Sequence, residues 1–170
     1  VENPAAHPFA PLRGPGVVVL EGQSADDAEW DVPLPFDFVL FGAPFDAVSV
    51  GTNGALLFPS GRSVSFRNPS VAPSEGPAGY VAPFWDDLRL YASSGGRVAH
   101  VVEGTAPRRR FGVEWLRLSR FGDPSSQVSF RVWLYEGPAG RIDFEYRPAV
   151  SGRRAFDASV GLEAASGAIA

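Results

Sequence analysis

A chain of 170 residues, 45% hydrophobic and 12% aromatic, holds enough apolar mass for one ordinary core, and its composition is neither that of a disordered tail nor that of a membrane protein. A net charge of −4 argues against nucleic acid as a partner, and the lack of cysteine excludes disulfides, thiol catalysis and cysteine-held metal centres. All fifteen basic residues are arginine, so no lysine amine exists for a Schiff base or an isopeptide cross-link.

The chain begins at Val1 with neither Met nor a signal-peptide pattern, which reads as a processed or excised start. Residues 1–25 are Pro-rich and irregular, with one β-branched run, Val17, Val18, Val19 and Leu20. They read as an extended arm carrying an edge or donor strand, with a single domain over residues 26–170. Residues 26–32, "DDAEWDV", read as an acidic turn. Residues 34–40 then alternate Leu34, Phe36, Phe38 and Leu40 on one face, the period of a half-buried strand.

Residues 45–50 and 55–58 flank Asn53 and Gly54, a strong hairpin signal. Residues 59–78, rich in Pro, Ser and Gly, read as a long surface loop. Residues 80–85 are strand-like but contain Pro83, which places them at an edge or a bulge. Strand patterns return at 97–103, 110–118, 127–137, 141–147 and 158–163. In "RFGVEWLRL" the alternation changes phase after Trp115, predicting a bulge. Arg141, Asp143, Glu145 and Arg147 fall on one face, beside Arg131, Glu114 and Arg117 of the neighbouring strands, and predict an outward ladder of ion pairs.

No sustained 3.6-residue period and no ~20-residue apolar run occurs, so neither long helices nor a membrane span are expected. The predicted fold is all-β: an antiparallel β-sandwich, jelly-roll-like, of nine to ten short strands.

Taken in order, "LPFDFVLFGAPFDAVSVGTNGALLF" (34–58), "GYVAPFWDDLRL" (79–90), "GGRVAHVVEG" (95–104), "RRFGVEWLRL" (109–118), "VSFRVWLYEGPAGRIDFEY" (128–146) and "ASVGLE" (158–163) resemble the nidogen-like extracellular domain. The resemblance is closer to related domains of secreted and surface proteins in GC-rich bacteria. It leaves out the first 25 residues. It implies a non-enzymatic module of adhesion or matrix proteins, extracellular or at the cell surface, and transfers no catalytic residue.

The residues that invite chemistry are few. Asp86 and Asp87 follow Phe84 and Trp85 directly. Adjacent strand residues face opposite ways, so the two acids diverge and read first as a turn, one capping backbone N–H groups or pairing with Arg89. A calcium site at Asp86 and Asp87 is the second reading, though it needs six to eight oxygens, and no other cofactor is expected. A catalytic acid pair needs two carboxyls facing each other across a cleft. His100 shares a face with Val98 and Val102 and reads as a half-buried core histidine.

Arg108, Arg109 and Arg110 offer a basic patch for an acidic partner or a sulfated glycan. Trp133 and Tyr135, opposite the core face of their strand, read either as an exposed binding platform or as packed beneath the arm. Partners are therefore a surface protein, a glycan, or copies of the chain itself. For copies, Val17, Val18, Val19 and Leu20 would add to a neighbour's sheet edge.

Overall fold

The period-2 segments become the central strands of two packed antiparallel sheets. The computed structural model of the chain describes residues 9–61, 63–67, 79–150 and 152–164. Among them run β1 (Val18–Glu21), β2 (Ala25–Asp26), β3 (Glu29–Leu40), β4 (Ala43–Gly51), β5 (Leu56–Leu57), β6 (Tyr80–Trp85), β7 (Leu88–Leu90), β8 (Arg97–Glu103), β9 (Arg110–Arg120), β10 (Asp123–Tyr135), β11 (Ile142–Tyr146) and β12 (Ser159–Glu163). The larger sheet has the order β1-β8-β9-β10-β11, with β7 also pairing with β9 and β2 with β7. The smaller has the order β12-β6-β5-β4-β3. Each sheet is mostly a meander of hairpins. No helix among the described residues is long and apolar enough to cross a membrane.

The all-β sandwich expected from the sequence is observed, but with twelve strands among the described residues rather than nine to ten. The additions, β2 and β7, have two and three residues. A period-2 pattern cannot declare itself over so short a length. Residues 26–32 are likewise not a turn, because β3 starts at Glu29. The acids Glu29 and Asp31 are outward strand residues that accept hydrogen bonds from the segment crossing them: Glu29 from Val64 N–H (2.9 Å), Asp31 from Gly61 N–H (2.8 Å).

The core forms where the inward faces meet. Phe36, Phe38 and Leu40 of β3 pack with Phe111, Val113, Trp115 and Leu118 of β9 and with their partners on β10. Trp115 stacks on Phe130 with ring centroids 5.0 Å apart, and Phe130 on Phe84 at 5.3 Å. The Trp115 indole N–H donates to Gly51 O (2.7 Å), which satisfies its one polar atom at the centre of the sandwich. Truncating a buried aromatic of this kind costs about 3–5 kcal/mol.

The phase change in β9 is a bulge. Trp115 pairs with Phe130 and Leu118 with Val128, so three steps on β9 match two on β10. Arg117 takes up the extra residue with φ of 53°. Trp115 and Leu118 can therefore both point inward despite their odd spacing. Pro83 also lies at an irregularity, where the pairing of β12 with β6 shifts between Ser159 and Gly161.

Asn53 does more than turn the chain. Gly54, at φ of 79°, closes the hairpin, while the fully buried Asn53 side chain donates to Asp27 Oδ1 (2.7 Å) and Val64 O (3.1 Å) and accepts from Leu88 N–H (3.0 Å). One amide thus joins the smaller sheet's hairpin to the approach to β3, to the overlying loop and to β7 in the larger sheet. Asn53→Ala leaves two acceptors, Asp27 Oδ1 and the buried Val64 O, and one buried donor, Leu88 N–H, without this partner. It is expected to lower the unfolding free energy by about 2–4 kcal/mol in urea titrations.

Candidate binding face

The outer face of the larger sheet carries its chemistry. β9, β10 and β11 are in register there, with Glu114 opposite Arg131 and Arg131 opposite Glu145. Glu114 follows Phe111 and Val113 by strand alternation but occupies the other face. Its carboxylate is fully buried all the same. Arg131 donates to it at 2.7 Å and Arg97 of β8 at 3.2 Å. The second Arg131 branch reaches Glu145 (3.1 Å), which also accepts the Trp133 indole N–H (2.9 Å).

What buries Glu114 is the arm. The Leu12 N–H donates to both Glu114 oxygens (3.0 and 3.2 Å), Leu12 O accepts from Arg97, and Ala10 O accepts from Arg131 (2.6 Å). Leu12 itself packs with Val101 and Trp133, and Arg131 lies 4.6 Å from the Phe9 ring centroid. Trp133 is thus no exposed platform, because residues 9–12 lie over it and Arg110 covers its ring at 3.9 Å. Gly112 permits that packing, since any side chain there would collide with the indole.

Toward the β10–β11 turn the same face becomes open. Arg110 is held by Glu103 (2.6 Å) and reaches the Tyr135 hydroxyl (3.4 Å), which donates to Asp143 (2.8 Å). Arg141 pairs with Asp143 (2.6 Å) and stacks 4.3 Å from the Tyr135 ring centroid. Arg109 clasps Glu136 through three hydrogen bonds of 2.6–3.0 Å, two from its guanidinium and one from its backbone N–H. Arg108 is exposed and forms no ion pair among the described residues. Pro107, Arg108, Arg109, Tyr135, Pro138 and Arg141 line a shallow groove of about 460 Å³.

The clasp sets a titration. Hydrogen bonds from Arg109 draw the Glu136 carboxyl down to about 2. Burial raises the Tyr135 phenol, with Arg110 opposing and Asp143 adding. The Arg141 hydrogen bond lowers Asp143.

The other sequence candidates lie elsewhere. Asp86 and Asp87 sit where the chain crosses from β6 to β7. Asp86 is buried, and its two oxygens accept the N–H groups of Asp87 and Asp157, both at 2.8 Å. Arg89 pairs with Asp26 instead (3.7 Å). Asp87 lines a small depression with Asp26, Asp27, Phe66 and Phe121, and burial, then the charges of Asp26 and Asp27, raise its carboxyl. Among the described residues no group of three or more His, Cys, Asp or Glu is arranged to hold a metal ion.

His100 is half-buried against Phe111, and burial lowers its imidazole. Val18 and Val19 lie in β1 at the sheet edge, paired with β8 of their own chain and about half exposed. Val17 packs with Tyr135 against the Leu12 cluster, and Leu20 against the main core.

The model of a domain family described as NIDO related matches residues 3–170. The chain belongs to the NIDO-related family. The match takes in the arm, which the resemblance read from the sequence leaves out. No curated protein and no solved structure matches the chain significantly. The NIDO-related domain is a structural module, and a β-sandwich whose outer-face charges are largely engaged with one another agrees with that.

The sequence marked Tyr135, Arg108, Arg109 and Arg110, and the structure brings them to one end of the sheet. It did not mark Arg97 or Leu12 as site residues. The available signal was Glu114, a lone acid within "FGVEWL" that needed a partner.

Two outcomes follow for this NIDO-related domain. Glu114→Ala removes one of the two carboxylates paired with Arg131, whose side chain is 7% exposed, and leaves the Leu12 N–H without its acceptor. With Glu145 still on Arg131 it is expected to cost about 1–3 kcal/mol in denaturant titrations, with little dependence on salt. The Glu136 carboxyl is depressed in the folded state, so its contribution to stability is complete above the ordinary glutamate range and is lost as pH falls toward about 2. NMR titration of its carboxyl carbon is expected to place the midpoint near that value, and Arg109→Ala to raise it toward the ordinary range, the backbone N–H bond from residue 109 being kept.

Proposed function

We propose that this NIDO-related domain is a non-catalytic module of a secreted or cell-surface protein, serving adhesion or matrix structure. Its binding surface is the groove between the approach to β9 and the β10–β11 turn. The observation that carries the reading is the state of Arg108. Its neighbours Arg109, Arg110 and Arg141 are all engaged with carboxylates, whereas Arg108 stands exposed at the rim beside Tyr135 and two prolines. An uncommitted guanidinium on a rigid, partly apolar shelf suits a carboxylate or sulfate on a glycan or on an acidic protein segment. The engaged arginines hold the shelf in shape.

Surface plasmon resonance over an immobilised sulfated oligosaccharide tests this. Binding is expected to weaken as ionic strength rises, and Arg108→Glu to weaken it by about tenfold or more while leaving the melting temperature unchanged. Failure of the unaltered domain to bind, or indifference of binding to Arg108→Glu, removes the glycan reading.

A further inference from the structure

The strip of sheet that buries Glu114 is built to hold an extended peptide. It reads main-chain atoms in alternating polarity: Arg131 takes a carbonyl at Ala10, Glu114 takes the N–H of Leu12, and Arg97 takes the carbonyl of Leu12. The residue between them, Pro11, has no N–H and so leaves no donor unsatisfied. Two side chains complete the fit, Leu12 against Val101 and Trp133 and Phe9 beneath Arg131. The segment lies over β8, β9 and β10 rather than along an edge, so it is recognised as a guest on a face and not as a further strand.

The connection that delivers it is exposed and glycine-rich, held by one backbone bond from Val17 N–H to Gly14 O (3.4 Å). Arg13, Gly14, Pro15 and Gly16 are all exposed, and Gly14 and Gly16 adopt φ of 97° and 89° with open space around each. Every contact of residues 9–12 described above is with residues at least 85 positions away along the chain. The same contacts are therefore available to the same segment of any other copy.

We propose that this strip is an exchangeable peptide-binding site, and that its second occupant is residues 9–12 of another copy of the chain, handed over at the Gly14-Pro15-Gly16 hinge. Exchange creates no new interface energy and breaks none, so the balance is set by concentration. A short tether presents its own segment at an effective concentration on the order of mM. Isolated copies in dilute solution therefore keep their own arms, and exchange grows where copies are crowded, as on a surface or in a matrix. This differs from addition of Val17, Val18, Val19 and Leu20 to a sheet edge, since β1 stays in its own sheet. It is also independent of the groove at Arg108, so either proposal can fail alone.

The test uses the full chain and a fluorescein-labelled peptide of residues 9–16, "FAPLRGPG". Leu12→Asp places a carboxylate in the apolar seat between Val101 and Trp133, unseats the chain's own arm and leaves the strip open. Leu12→Asp is expected to bind the peptide about tenfold more tightly than the unaltered chain does, because the intramolecular competitor is gone. A peptide with Asp at the position of Leu12 is expected to bind neither.

In parallel, light scattering of the unaltered chain is expected to show dimers or longer chains that grow with concentration and disappear in Leu12→Asp. A Leu12→Asp chain with a native circular dichroism spectrum that ignores the peptide overturns the proposal, as does association that survives the substitution. If Leu12→Asp does not fold, Leu12→Ala carries the same two measurements. If neither folds, the arm is inseparable from the sheet and exchange is excluded.

Discussion

A single buried carboxylate organises the outer half of this sandwich. An ionised glutamate removed from water is unfavourable by several kcal/mol unless its oxygens are satisfied. Glu114 meets that condition only with help from β8, from β10 and from the arm at once. Arg97 and Arg131 supply the charge, but both also need acceptors, which they find in the carbonyls of Leu12 and Ala10 and in Glu145. The network closes only when residues 9–12 lie across the sheet. That requirement couples a Pro-rich segment with little structure of its own to the most regular strands of the domain.

The inner half obeys a different constraint. Aromatic rings fill the space between sheets, and the polar atoms of Trp115 and Asn53 there are satisfied. The Trp115 indole reaches Gly51, and the Asn53 amide is shared among three segments. Asp86 repeats the device where the chain passes between sheets, spending both oxygens on backbone N–H groups. Acids beside buried aromatics here hold the chain's course. The chemistry open to a partner is displaced to the rim, where Arg108, unlike Arg109 and Arg141 in the same groove, is paired with no carboxylate among the described residues.

Legibility in the sequence follows the range of the interaction. The nine longer strands, the Asn53 hairpin with its two-residue return strand β5, the bulge after Trp115 and the ion-pair ladder on β11 were readable because each depends on periodicity within one strand or on pairing across a short hairpin. β2 and β7 were not, since two or three residues carry no period and exist as strands only because a neighbour offers an edge. Trp133 shows the same limit within the candidate site. Alternation assigns it to the outer face correctly, but only the path of a segment more than a hundred residues earlier decides whether that face is open.

By itself the sequence determined the class of fold, the side of each long strand that meets the core, and the set of charged and aromatic residues on the outer face. These are consequences of a two-residue repeat and of turn chemistry, which act locally. The tertiary structure alone decided that Arg108 ends on an open shelf while Trp133 lies covered. It also decided that Asp86 caps the N–H of Asp157, remote in the chain, as well as that of Asp87, and that Glu114 recruits the arm. Each of those outcomes rests on desolvation, the removal of a polar or aromatic group from water by a segment remote in the chain, and no local pattern records which segment will do it.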